Sequence, residues 1–496
     1  MIINSLLSLF EPSTIVAMTF GTTWGIINGA VPGFGSSTAC ALLIPFTFGL
    51  NPIIALPMLA GVYVGGIYGG SISAIMLGIP GTSAAAATVF DGYEMTKKGQ
   101  SRKALTTAVV ASAIGGMFGA IVLLLAAPLL ARCALLFGPA EYFLLAIFGL
   151  TIIASLSGKS ILKGIMGGLL GLFLGMVGMD SILGIYRFNF GTMYLYDGFP
   201  LIPLILGLFA FPQCILLVKN FFQKGHETIS SGLLSETDET IRLKDLRKYW
   251  KTLLRSSIIG TIIGIIPAAG SNIACFVGYS EAKRNSKDPS KFGTGIMEGV
   301  IAAETANNAV CGGSLVPLLT LGIPGSATAA VLLGALMIQG LAPGFQLFSE
   351  YAEITYTFIF AMFFTNIIML VLGWYGGGFF GKIAKVPIPV LAPMVLLISL
   401  IGAFISRQYI FDMGITAGIG IVSYFLLRAG FSMPTIMLGA ILGPIAESGF
   451  MRIMKITHWD LTIFFRRPLS IVLIVLTLIS LYGGWRMNIG LSRKMK

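Results

Sequence analysis

The sequence predicts an all-α polytopic membrane protein of about 10–14 passes, some of them broken helices or re-entrant hairpins, built from two inverted-topology repeats. Three observations predict it. The 496 residues are 56% hydrophobic and only 10% charged, where soluble domains carry about 25% charged residues. Apolar stretches of at least about 18 residues recur along the chain, long enough to span a hydrocarbon core. Finally, two stretches about 235–245 residues apart read alike. Gly25 to Ser36 returns as Gly260 to Ser271. Gly69-Gly70-Ser71 running to Leu77-Gly78-Ile79-Pro80-Gly81 returns as Gly312-Gly313-Ser314 running to Leu321-Gly322-Ile323-Pro324-Gly325.

Taken in order, the apolar segments of the first half are 14–49, 52–79, 104–131, 140–156, 161–178 and 198–218. Those of the second are 256–278, 297–321, 324–345, 354–374, 388–405, 409–427, 431–446 and 468–485. Stretch 14–49 is too long for one pass, and Pro32, Gly33 and Gly35 split it. Proline removes a backbone donor, and glycine removes the steric barrier to unwinding. Pro80-Gly81 and Pro324-Gly325 break their segments in the same way. Residues 1–218 form the first repeat and 219–255 a polar cytoplasmic linker with an amphipathic helix near Ile241–Leu254. Residues 256–467 form the second repeat, and 468–496 an extra helix with a basic tail. The 63 glycines suit membrane helices that approach closely.

Charge gives the orientation. The net charge is +12, but the basic residues sit in short loops and at the C-terminus, so they set topology rather than mark a nucleic-acid surface. Loop 91–103 carries Lys97, Lys98, Arg102 and Lys103, and its counterpart at 338–352 has no lysine or arginine. Loop 279–292 carries Lys283, Arg284, Lys287 and Lys291, and its counterpart at 44–57 has none. Equivalent loops with opposite signatures place the repeats upside down relative to each other. No cleavable leader is evident, so the first spans act as the insertion signal.

Several chemistries are set aside. Cys40, Cys133, Cys214, Cys275 and Cys311 fall in or beside apolar segments without a CxxC pair, and read as small buried residues. His226 and His458 lie in polar stretches, and there is no HExxH. Gly158-Lys159-Ser160 looks like the end of a phosphate loop, but Ile153 stands where the earlier glycine is required.

A duplicated pair of Gly/Pro-broken segments is the pattern of a secondary transporter, whose site lies where broken helices meet near the midplane. The candidate substrate-binding residues are those of the tips: Gly33, Gly35, Ser36, Ser37, Thr38 and Gly270, Ser271, Asn272, with Gly81, Thr82, Ser83 and Gly325, Ser326 at the other breaks. An unwound tip offers free backbone groups. A helix start adds partial positive charge that suits a carboxylate, while unwound carbonyls suit a small cation such as Na+. The candidate coupling-ion residues are Glu304, Asn307 and Asn308. Glu304 and Asn308 share one helical face, a carboxylate within an apolar segment is costly and faces a cavity or partner, and the matching positions near Gly61 and Gly65 are apolar. Asp91, Asp180, Asp197, Asp412 and Glu447 sit near segment ends as caps or solvent-facing acids. Asp91-Gly92-Tyr93 and Asp197-Gly198-Phe199 read as turns. Arg187 and Arg407 either meet an anionic substrate or snorkel.

At these residues the chain resembles the large membrane subunit of tripartite tricarboxylate transporters, the TctA family. The resemblance rests on Pro32-Gly33-Phe34-Gly35, Tyr68-Gly69-Gly70-Ser71 with Ile79-Pro80-Gly81, Asp91-Gly92-Tyr93 with Lys98-Gly99, Glu304-Thr305-Ala306-Asn307-Asn308 and Gly322-Ile323-Pro324-Gly325, and covers about 12–470. It implies a non-enzymatic importer of carboxylates in a bacterial inner membrane, surrounded by lipid. The partners it implies are an extracytoplasmic solute-binding protein and a small membrane subunit of about four spans. It implies coupling to Na+ or H+ rather than to ATP or a bound cofactor. Pro267-Ala268-Ala269-Gly270 departs from the Pro-Gly-x-Gly of the first tip. Residues 14–110 and 256–345 are expected to move against a scaffold of 115–218 and 350–485. The alternatives are an anion channel or passive permease, and an intramembrane lipid-modifying enzyme.

Overall fold

The computed structural model describes residues 2–494 apart from 134–135, 157–160, 181–183, 225–238, 268 and 384–387. Most of the middle of the expected linker, His226 and the Gly158-Lys159-Ser160 stretch therefore lie outside the described residues. What is described is helical, apart from one two-residue strand pair, β1 (Gly178–Met179) with β2 (Tyr186–Arg187). Among the described residues, seven helices are long and apolar enough to cross a membrane, and five shorter apolar helices accompany them.

The first half runs α1 (Ile2–Ser8), α2 (Pro12–Ala30), α3 (Ser36–Thr47), α4 (Pro52–Leu77), α5 (Ala86–Lys97), α6 (Ser101–Cys133), α7 (Pro139–Leu156), α8 (Ile161–Gly175), α9 (Leu201–Ile205) and α10 (Phe211–Lys224). A π turn, Leu206–Ala210, joins the last two. After α11 (Leu243–Lys248), the second half repeats the order as α12 (Trp250–Ile265), α13 (Gly270–Asn285), α14 (Met297–Leu321), α15 (Ala327–Ile338), α16 (Phe345–Ser349), α17 (Ala352–Ile383), α18 (Ile388–Arg407), α19 (Ile410–Arg428) and α20 (Met433–Ile456). α21 (Ile463–Arg466) and α22 (Pro468–Lys494) close the chain. The amphipathic helix expected over 241–254 is instead two: Tyr249 interrupts it, and Trp250 already belongs to α12.

All four expected breaks are present. α2 stops at Ala30 before Pro32, and α12 stops at Ile265 before Pro267. α4 and α14 each end on a left-handed glycine, Gly78 at φ 68° and Gly322 at φ 73°, where any Cβ would be strained. The folded-back residue after each is tied to its own helix: Gly81 N–H donates to the Gly70 carbonyl at 3.1 Å, and Gly325 N–H to that of Ser314 at 3.3 Å.

Glycine also sets how closely the helices cross. α2 lies on α4 and α12 on α14, and a Cβ on Gly25 or Gly29, or on Gly260 or Gly264, would collide with the opposing backbone. In one pair Gly25 meets Val62 and Gly29 meets Gly66. In the other Gly260 meets Ala306 and Gly264 meets Val310. The long helices α6 and α17 brace these pairs. Outside them, the halves exchange partners: α20 of the second packs on α7 and α8 of the first, while α9 and α10 pack among α18 and α19.

Candidate functional site

The four breaks converge on one cavity of about 570 Å³, within the usual range for small-molecule sites. Twelve of the thirteen tip residues singled out in the sequence line it, and the thirteenth, Gly325, sits between the lining residues Pro324 and Ser326. Four helices begin at its wall: α3 at Ser36, α13 at Gly270, α15 at Ala327, and α5 through the 3₁₀ turn Ser83–Ala85. The first amide groups of a helix have no partner in their own helix and carry part of its dipole. Among the described residues no Asp, Glu, Lys, Arg or His contributes to the lining, so the polar groups facing the cavity are backbone groups, hydroxyls and amides.

The tips are joined reciprocally across the repeats. Ser36 and Thr328 share a hydroxyl hydrogen bond of 2.6 Å, linking the starts of α3 and α15. Ser83 Oγ donates to Asn272 Oδ1 at 2.8 Å, linking the starts of α5 and α13. Tyr63 bridges Ser314 at 2.7 Å and Ser326 at 2.8 Å, again between repeats. Gly33 N–H donates to the Gly81 carbonyl at 3.2 Å, joining the two breaks of the first half. Thr38 donates to the carbonyl of Phe209 in the π turn, a site where helical bonding is loosened and carbonyls are free to accept. The buried hydroxyls of Thr82 and Ser271 have no protein partner. The sequence departure at the second tip has a counterpart in the backbone: the left-handed glycine precedes α3 at Gly33 but opens α13 at Gly270.

Glu304, Asn307 and Asn308 lie elsewhere. None lines the cavity. All three are fully buried on α14, which meets α4, α5 and α6. The Glu304 carboxylate accepts hydrogen bonds from Thr88 of α5 and from Ser112 of α6, the latter at 3.0 Å. Asn308 Nδ2 faces the sulfur of Met369 at 3.6 Å. Around them, Tyr68 OH, Thr305 Oγ1, Asn308 Oδ1 and Asn366 Oδ1 are buried with no hydrogen-bond partner among the described residues. Unpaired polar atoms in such number are rare in a protein interior, and each one asks for a reason. The segment leading into α5 connects the two places, since its 3₁₀ turn lines the cavity and Thr88, in the first turn of α5, donates to Glu304.

The structure corrects several other expectations. The register set by Gly78 and Gly322, Gly70 and Ser314, and Gly81 and Gly325 puts Ala60 and Val64 opposite Glu304 and Asn308, one residue from the expected Gly61 and Gly65. Asp91-Gly92-Tyr93 is not a turn but part of α5. Asp91 is fully buried; its Oδ1 accepts the N–H groups of Gly293, Gly295 and Ile296 at 3.0, 2.8 and 3.0 Å, and Tyr279 OH donates to its Oδ2 at 2.8 Å. It thereby fixes the loop entering α14. Lys98 donates to the Thr294 carbonyl of the same loop. Neither arginine faces the cavity. Arg187 donates to both oxygens of Glu447 at 2.5 and 2.9 Å and lies 3.4 Å from Asp180. Arg407 donates to both oxygens of Asp412 at 2.6 and 2.9 Å. Buried Asp180 and Asp412 are thus arginine partners rather than solvent-facing acids.

Sequence reasoning missed three polar lining residues. Thr328 stands two residues beyond Ser326 as Thr38 stands two beyond Ser36, so the repeat contained the signal. Gln213 and Ser432 come from α10 and the approach to α20, and no local pattern marks them.

With this geometry in place, comparison with known proteins is specific. The family model described as "Tripartite tricarboxylate transporter TctA family" matches residues 15–438. An uncharacterized 52.8 kDa protein of the TAR-I ttuC' 3' region of Agrobacterium vitis is 34% identical over 467 residues, spanning 94% of this chain and 92% of that protein. An uncharacterized protein of the TAR-II ttuC' 3' region of the same organism is 34% identical over 220 residues, 44% of this chain and 91% of its own length. No solved structure matches.

Proposed function

The chain belongs to the tripartite tricarboxylate transporter TctA family, and from that premise we propose that it is the large permease of an ion-coupled, binding-protein-dependent importer of organic di- and tricarboxylate anions. The observation that carries the reading is the convergence of four helix starts, with their serines and threonines, on one cavity without a fixed charge. Each helix start contributes on the order of 0.3–1 kcal/mol toward an anion at an exposed site, and more where water is excluded. Several together hold a carboxylate while leaving it easy to release, since no buried ion pair must be broken. Thr82, Ser271 and Asn272 supply directional hydrogen bonds. An extracytoplasmic binding protein would deliver the substrate, and a small membrane subunit would complete the complex.

The buried cluster on α14 supports a coupling role. A carboxylate beside several hard oxygen atoms suits a proton or a small cation such as Na+. Thr88 and α5 supply the physical link from that cluster to the substrate cavity. The reciprocal pairing of tips supports two inverted repeats. Tags at 98 and 345 reacting from the same side of the membrane would refute inversion. The proposal includes an elevator-type motion whose moving part extends beyond residues 14–110 and 256–345. The middle of α6 packs through Gly115 and Gly119 on α14, so α6 and its counterpart α17 travel with, or hinge, the central helix pairs. Crosslinks pinning α3 to α18 that leave uptake unchanged would exclude such motion.

The deciding experiment is uptake into proteoliposomes holding the chain with its small subunit and purified binding protein. Saturable accumulation against a gradient, dependent on the binding protein and abolished by collapsing the ion gradient, is expected. Accumulation that only equilibrates across the membrane would make the chain a passive permease.

A further inference from the structure

Away from the tips, the start of α12 and the α13–α14 loop enclose a second cavity, of about 540 Å³. Lys248 at the end of α11, with Lys251 and Arg255 one turn apart on α12, forms one wall, and Lys287 and Lys291 form the other. The acids in the same cavity are already engaged. Asp288 holds Lys291 at 2.8 Å, and Glu281 holds Arg284 at 2.6 Å. Glu298 accepts the hydroxyls of Thr252 at 2.9 Å and Ser286 at 3.4 Å. Among the described residues Lys248, Lys251 and Arg255 have no acidic side chain within ion-pair distance, and Lys287 adds its charge beside Asp288. Five basic residues line the hollow against three acids, a net charge of +2, which favours an anion there, and the basic loops that form it belong on the cytoplasmic side by the charge rule.

The surroundings select the kind of anion. From the mouth of the cavity, Trp250, Leu254, Ile258 and Ile262 run along α12 at four-residue spacing, and all are exposed. This apolar stripe leads from the cationic hollow along α12, with a tryptophan at its polar end, as at a membrane–water interface. A free phosphate would use the hollow and ignore the stripe. A phospholipid with an anionic headgroup uses both, and clustered basic residues of this kind attract the anionic lipids of the cytoplasmic leaflet.

We propose that this groove binds the headgroup of an anionic phospholipid, with an acyl chain laid along the exposed face of α12. The bound lipid bridges α12 and the loop that Asp91 holds, and so joins the polar linker to the second repeat. The site is independent of the substrate cavity, and its test does not require transport.

Native mass spectrometry of the purified full chain, with dioleoyl phosphatidylglycerol and dioleoyl phosphatidylcholine titrated in parallel, tests the assignment. The wild type is expected to retain the phosphatidylglycerol at least ten-fold more strongly. The variant Lys248→Gln, Lys251→Gln, Arg255→Gln, Lys287→Gln is expected to lose that preference. A control with the same charge change elsewhere, Lys163→Gln, Lys382→Gln, Arg452→Gln, Lys455→Gln, is expected to keep it. If the larger groove variant does not elute as folded protein, Lys251→Gln with Lys287→Gln removes one cation from each wall and is expected to weaken retention at least three-fold. Unchanged retention in the folded groove variants, or equal loss in the control, overturns the site. Displacement of the lipid by glycerol phosphate alone overturns the lipid and leaves a soluble phosphate as the ligand.

Discussion

The helix pairs α2–α4 and α12–α14 share a backbone plan and differ in what they carry. Both cross at glycines, both end on a left-handed glycine, and both fold back through a glycine N–H bonded to the preceding helix. Yet α14 buries Glu304, Asn307 and Asn308 where α4 offers Ala60, Tyr63 and Val64. Of that set, only Tyr63 is polar, and it spends its hydroxyl on Ser314 and Ser326 of the other repeat. The lesson is that duplication preserves what the backbone requires, while side chains are free to divide the labour. The tips build one shared cavity from both copies, and a single copy holds the carboxylate.

The comparison can be broken or sharpened by substitution. The largest effect belongs to the shared plan. Gly25→Leu and Gly260→Leu each force a side chain against opposing backbone, at a cost of about 3 kcal/mol or more, so both should abolish monodisperse protein in size-exclusion chromatography. If one is tolerated and the other is not, the pairs are not mechanically equivalent. Next comes the divided labour. Glu304→Gln should cut gradient-driven accumulation about ten- to hundred-fold while the folded protein still exchanges substrate across a liposome. Normal, ion-dependent uptake by this variant would remove Glu304 from coupling.

Smaller effects belong to the cavity. Asn272→Ala and Ser36→Ala each remove a hydrogen-bonding group that spans the repeats, worth about 1 kcal/mol, and should raise the substrate concentration for half-maximal uptake about five-fold with only a small drop in melting temperature. If the two differ greatly, the cavity is less symmetric than its helix starts suggest. The smallest functional effect is expected of the paired arginine. Arg187→Ala leaves Glu447 and Asp180 facing each other and should lower the melting temperature by several degrees, with half-maximal uptake unchanged. A change in half-saturation instead would return Arg187 to the substrate path.

Much of the site was legible in the chain because breaking a membrane helix needs particular residues. Proline lacks the donor, glycine tolerates the turn, and serine and threonine follow at the new helix start, so Gly33 to Thr38 and Gly81 to Ser83 stand out as a spelling. The same logic failed for Asp91. Asp-Gly is a turn signal in water, but here α5 is held by packing and the aspartate is consumed by three N–H groups of a loop some two hundred residues away. It failed also for Gln213 and Ser432, whose place in the lining depends on how the outer helices wrap the tips.

The sequence by itself determined that this is a helical membrane protein with two related halves, where each half breaks, and to which family it belongs. Hydrophobicity, helix-breaking chemistry and repetition are written locally, one residue at a time. Only the tertiary structure decided that the four breaks share one hollow, that the buried carboxylate stands outside it, and that both arginines are spent on acids of their own. Those outcomes depend on which surfaces meet, and contact between residues hundreds of positions apart is fixed by packing, for which no short stretch of chain carries a mark.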